Sequence, residues 1–148
     1  MSVNPDYDEF TIPSCIKRID FIYFFYNVNF KQINFPNDSK LLKIDKNTFQ
    51  YSTIEKITIP SHVTEICNKA FNYCKNLTKI VFPNDSKLER IDKYAFENSS
   101  LISAYFPKSV SEICDYAFDC CKNLKNIFFT ENSKLKLIGS YAFSNTAL

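Results

Sequence analysis

Phe35-Pro-Asn-Asp-Ser-Lys-Leu41 occurs again as Phe82-Pro-Asn-Asp-Ser-Lys-Leu88 and, with three changes, as Phe129-Thr-Glu-Asn-Ser-Lys-Leu135. Each step is 47 residues. Between these phrases stands a second one, from Ile59-Pro-Ser-His-Val63 to Ala70-Phe71 and Cys74-Lys-Asn-Leu77. It returns 47 residues on, from Phe106-Pro-Lys-Ser-Val110 to Ala117-Phe118 and Cys121-Lys-Asn-Leu124. One step back it meets Ile12-Pro-Ser-Cys-Ile16 and Phe24. A fixed internal period is the mark of a repeat architecture, and it outranks any local reading.

Each 47-residue pair divides into units of 23 and 24 residues. Six times an isoleucine is followed five residues later by phenylalanine: Ile19/Phe24, Ile44/Phe49, Ile66/Phe71, Ile91/Phe96, Ile113/Phe118 and Ile138/Phe143. Each unit opens on the spacing apolar-x-x-apolar-x-apolar, for example Ile54/Ile57/Ile59 and Leu77/Ile80/Phe82. Its last two apolar residues alternate with a third, outward position, the period of a half-buried strand. Proline follows five of the six phrases (Pro13, Pro36, Pro60, Pro83, Pro107) and ends the strand, because it has no N–H for the ladder. A unit this short cannot close a core alone and must bury a shared apolar column against its neighbours. The expected fold is therefore a mostly β solenoid with short turns. It is one domain over residues 1–148, with a tail over 1–6 and units starting near 7, 30, 54, 77, 101 and 124. The Ala-Phe pairs suit a tight convex turn in which the ring plugs the core.

The pattern Leu-x-x-Ile-x-Phe-Pro, Ile-x-x-x-Ala-Phe, Cys-x-x-Leu resembles the BspA-type leucine-rich repeat over nearly the whole chain, from Tyr7 to Leu148. It departs in one respect. Where the family usually has glycine after the isoleucine, only Gly139 fits, and Asp20, Asp45, Cys67, Asp92 and Cys114 occupy the other places. The resemblance implies a curved, right-handed stack with a parallel sheet on its concave side. It also implies a protein-binding role, since known members are largely surface adhesins and interaction modules.

Composition removes several other functions. A single glycine excludes Gly-rich phosphate-cradling loops. An evenly spread net charge of +2 argues against nucleic-acid binding. The longest apolar run, Phe21-Ile-Tyr-Phe-Phe-Tyr26, is far short of a membrane span. The polar, acidic start from Met1 to Asp8 does not read as a secretory leader. His62, the only histidine, has Cys15 and Ser109 as its equivalents and reads as surface decoration. No nucleophile–base constellation or metal motif accompanies it, so no catalytic residue, metal or cofactor is expected. One carboxylate per Asn-Asp-Ser phrase is too few for calcium. These phrases read as turns in which Asn and Asp bond their own backbone.

The cysteines fall on the repeat. Cys67 and Cys114 are equivalent, as are Cys74 and Cys121. Positions two turns apart in a stacked parallel sheet lie roughly 10 Å from each other, too far for a disulfide or a shared zinc ion. A buried column of free thiols is expected, with Cys120 more exposed and Cys15 standing alone. Free thiols and the polar N-terminus favour the cytoplasm, whereas the resemblance suggests the cell surface. Four sequons, at Asn37, Asn76, Asn84 and Asn98, matter only in a secreted chain.

The outward column of the strand phrases reads Thr11, Asn34, Thr58, Val81, Tyr105, Phe128, and its neighbour reads Glu9, Gln32, Lys56, Lys79, Ser103, Asn126. The first turns apolar in the last three units, and exposed apolar patches with aromatic anchors are the usual protein-binding surfaces. Val81, Tyr105 and Phe128, flanked by Lys56 and Lys79, form the candidate partner-binding patch. No polar cap is visible after Phe143, so either the chain continues or that open end is covered by another chain or by an edge-to-edge copy, and self-association through it is the expectation. The expectation is a non-enzymatic module binding a protein through its concave face, with a surface adhesin in view. The alternative is an intracellular scaffold component packed into a larger assembly.

Overall fold

The computed structural model describes residues 8–19 and 29–148. Tyr7, the tail before it, Phe24 and the apolar run from Phe21 to Tyr26 lie outside the described residues. All six opening phrases form strands at their expected places: β1 Glu9–Thr11, β2 Gln32–Asn34, β4 Lys56–Thr58, β6 Lys79–Val81, β8 Ser103–Phe106 and β10 Asn126–Phe129. A second, two-residue strand ends each time on the isoleucine that precedes the Phe turn: β3 Lys43–Ile44, β5 Glu65–Ile66, β7 Arg90–Ile91, β9 Glu112–Ile113 and β11 Leu137–Ile138. Among the described residues every strand pair is parallel, and equivalent residues of successive turns face each other, such as Ile57 with Ile80 and Ile66 with Ile91. The chain is a parallel β-solenoid.

Its turns follow one plan. The proline carbonyl accepts the N–H three residues on, as in Pro36 to Ser39 at 3.0 Å, Pro60 to Val63 at 3.1 Å and Pro83 to Ser86 at 3.0 Å. Thr130 fills the same place for Ser133 at 3.2 Å. Proline suits this corner because its fixed φ presets the turn. The Asn-Asp-Ser phrase works differently from the expectation. Asn37 and Asp38 are exposed, whereas Ser39 is buried and its Oγ accepts the Leu41 N–H. Ser86 does the same for Leu88.

Inside, Phe49, Phe71, Phe96 and Phe118 stack ring on ring with centroids 5.1, 5.0 and 5.0 Å apart, and Phe143 continues the pile at 5.2 Å. The first four are fully buried. Aliphatic columns flank them, with Ile33, Ile57 and Ile80 under the long strands and Ile44, Ile66, Ile91 and Ile113 under the short ones. Each turn supplies one layer of this core and exposes it again if unstacked, which is why stacking rather than any single unit holds the fold.

Two features depart from a single continuous sheet. The long-strand sheet is split into β1-β2-β4-β6 and β8-β10. At the seam the Ile102 N–H still donates to the Thr78 carbonyl at 3.3 Å. The short strands form their own five-stranded sheet, β3-β5-β7-β9-β11.

Candidate functional site

On the long-strand sheet the buried and outward positions alternate as the sequence requires: Lys56 and Thr58 are exposed around buried Ile57, and Lys79 and Val81 flank buried Ile80. In β8 the order is Ala104 in, Tyr105 out, Phe106 in. Tyr105 is 60% exposed and Phe128 44%, and their rings stack at 4.4 Å with 12° between planes. Phe128 and Phe129 do part to opposite faces: Phe129 stacks on buried Phe106 at 5.0 Å. Two large rings therefore stand in solvent, supported by each other and by a rigid sheet.

Lys56 and Lys79 are direct partners across β4 and β6, with both side chains exposed. Among the described residues neither has an ion-pair partner, whereas Lys31 pairs with Asp8 at 3.1 Å and Lys93 with Asp115 at 2.9 Å. Like charges directly opposite in a sheet cost roughly 0.2–1 kcal/mol. With Val81, Gln32, Asn34 and Thr58 the two lysines line a groove of about 250 Å³. The five expected residues thus form two adjoining groups. Val81 goes with the lysines, and Tyr105 with Phe128 lies across the seam between β6 and β8.

Ile102 is a further exposed apolar residue at this seam. It immediately precedes β8 and is 52% exposed. Its column reads Asp8, Lys31, Glu55, Thr78, Ile102, Lys125, so the only apolar member stood out in the repeat and was overlooked.

The remaining polar groups are structural. Cys74 Sγ donates to the Phe49 carbonyl at 3.0 Å and lies 3.4 Å from Ser52 Oγ. Cys121 repeats this with the Phe96 carbonyl at 3.1 Å and Ser99 Oγ at 3.2 Å. Serine and cysteine alternate down one buried column, each thiol tying its turn to the one before. Burial, only partly offset by the serine, pushes the Cys74 thiol up to about 12 and Cys121 to about 11. All six cysteines are free. Cys67 belongs to a different, half-buried column beside Asp45 and Asp92, and burial followed by the Glu65 and Asp45 charges lifts it to about 11. The expected thiol column is therefore two columns, one of them hydrogen-bonded. Cys120 is half-exposed and Cys15 exposed. His62 is an exposed turn residue near Ser61 Oγ at 3.4 Å. On the short-strand face Lys43, Glu65, Arg90 and Glu112 form a ladder of alternating charge, with Arg90 Nε 3.6 Å from Glu65 and its other nitrogens on Glu112 and Asp92.

The two strands per turn and the Phe pile coincide with a sequence match. The BspA type leucine rich repeat region matches residues 4–86 and 42–148, in six copies. This chain belongs to the BspA-type leucine-rich repeat family. Solved members of this architecture superpose well. The pneumococcal vaccine antigen PcpA shares 28% identity and a TM-score of 0.73 over 99% of this chain and 34% of its own. A leucine-rich repeat protein from Bacteroides ovatus gives 24% and 0.70, covering 86% of this chain and 38% of its own. A leucine rich cell surface protein from Faecalibacterium prausnitzii gives 22% and 0.72, covering 95% and 40%. The BspA-type chain described here therefore spans about a third of the length of PcpA. A search of curated proteins finds no match. Among the described residues of this family member no helix is long and apolar enough to cross a membrane.

Proposed function

We propose that this BspA-type repeat chain is a non-enzymatic interaction module that binds another protein through the outer face of its long-strand sheet, the face the family resemblance places on the concave side. The observation that carries the reading is the solvent-exposed Tyr105–Phe128 stack. Exposed aromatic rings held on a rigid sheet lose little entropy on binding and supply most of the energy of protein interfaces. Likeness to a vaccine antigen supports a surface role, including adhesion. The cytoplasmic placement suggested by free thiols finds no support in the comparisons. The same reading extends to association of copies through the exposed side chains of Leu137, Ile138 and Tyr141.

Replacing Tyr105 and Phe128 together with serine tests the face. Both side chains are largely outside the core, so the melting temperature is expected to stay within about 2 °C while binding of the partner is lost. A collapse of the melting temperature would mean that the rings are core residues.

A further inference from the structure

The exposed face changes character along the solenoid: two adjacent cations with no ion-pair partner among the described residues at β4 and β6, then the apolar pair Tyr105 and Phe128 at β8 and β10. From this we infer, resting on the proposed function, that the partner contributes an extended acidic segment laid across these strands. Its carboxylate sits between Lys56 and Lys79, and a large apolar side chain about three to four residues away sits against Tyr105 and Phe128. The spacing follows from strand geometry. From the β4–β6 pair to the β8–β10 pair is two strand steps, roughly 10 Å, and the rings stand two residues further along their strands, roughly 7 Å. The diagonal is about 12 Å, which an extended chain covers in about three to four residues at 3.3 Å each.

Charge complementarity selects the acid. By contrast with Lys56 and Lys79, Lys31 has Asp8 and Lys43 has Glu65 as ion-pair partners. Lys56 and Lys79 repel each other, and the groove they line also carries the Thr58 hydroxyl, while the Gln32 amide donates to Asn34 and the Asn34 amide to Glu9 at 2.9 Å. An incoming carboxylate would relieve the repulsion and take hydrogen bonds from both ammonium groups. Ring geometry argues for a peptide over a nucleic acid. Tyr105 and Phe128 cover each other at 4.4 Å, so what they jointly offer outward is ring edges rather than a free platform for stacking bases. Such edges suit an aliphatic or aromatic side chain. The net charge of +2 also gives little of the long-range field a phosphate backbone requires.

Selection of random linear peptides on the intact chain tests this directly. The enriched peptides are then measured by fluorescence anisotropy on the parent, on Lys56→Glu with Lys79→Glu, and on Tyr105→Ser with Phe128→Ser. Thermal melts of both variants confirm folding. Enrichment of Asp or Glu about three to four positions from an aromatic or large aliphatic residue is expected. Each double variant should weaken binding about tenfold or more, the scale of two lost polar or apolar contacts. The salt dependence should be lost only in the charge-reversed variant. Peptides without an acid that still require Tyr105 and Phe128 would remove the inference and leave the proposed face standing. Peptides indifferent to both variants would remove both. No enrichment at all, or tighter binding of oligothymidylate or of vesicles of equal parts phosphatidylcholine and phosphatidylserine, also overturns the inference.

Discussion

Gly139 stands where four other turns carry Asp45, Cys67, Asp92 and Cys114. A methyl group there would lie 2.5 Å from the Asp115 backbone nitrogen, so this turn packs closer to its neighbour than a side chain permits. Gly139→Ala is expected to cost roughly 1–3 kcal/mol, as overpacking does, read as a lower urea midpoint. The left-handed backbone falls elsewhere: pairs such as Lys69 with Tyr73, Tyr94 with Asn98 and Tyr116 with Cys120 flank each buried Phe, and none is glycine. Several of these residues stack, Tyr94 on Tyr116 at 5.2 Å and Tyr116 on Tyr141 at 5.1 Å, which offsets the strain of φ near 60°. The buried thiols give a pH dependence. An exposed thiol ionises near 9.0, but burial holds Cys74 neutral in the folded chain up to about 12 and Cys121 to about 11. Their contribution to stability is complete below 9 and falls away between 9 and about 12, because only the unfolded chain gains by ionising there. Replacing both with serine keeps the hydrogen-bond donors and removes the titration. The decline of the urea midpoint above pH 9 should become shallower. An unchanged slope would assign the decline to other groups.

At the scale of elements, two ladders run along the stack and differ in what they are worth. The Phe pile is dry and continuous, whereas the Lys43–Glu65–Arg90–Glu112 ladder is partly solvated, with Arg90 39% exposed. Truncating a buried phenylalanine costs about 3–5 kcal/mol, and an exposed ion pair contributes about 1 kcal/mol or less. Phe96→Ala should therefore destabilise strongly, and Arg90→Met should shift the melting temperature only slightly, by less at high salt. A comparable loss for both in thermal melts would show the ladder to be more desolvated than its exposure indicates. The long strands were legible in the sequence because an inward residue alternates with outward ones and a proline closes each phrase. The short strands were not. Two residues carry no periodicity, and Glu65–Ile66 or Arg90–Ile91 become strands only because a neighbouring turn presents the matching carbonyls, as Ile44 does to the Cys67 N–H at 2.9 Å.

Across the whole molecule, both ladders are cooperative through nearest neighbours alone, so a turn with one neighbour is the weakest. Ile138 is 48% exposed, whereas its equivalents Ile66, Ile91 and Ile113 are buried. If copies associate through this exposed side chain, sedimentation should show a weight that rises with concentration and reverts on Ile138→Lys, and a clean monomer at high concentration would exclude it. The repeat period by itself determined the solenoid, the inward columns, the free state of the thiols and which residues face outward, because each depends only on position within a unit and on stacking equivalent units. Tertiary structure alone decided three further matters. It split the long-strand sheet between β6 and β8, it tied each thiol of the Cys74 column to a carbonyl of the turn below, and it set Lys56 against Lys79 and Tyr105 against Phe128 as two groups. Each of these turns on side-chain direction and on distances between turns, which residue order constrains only once the turns are laid on one another.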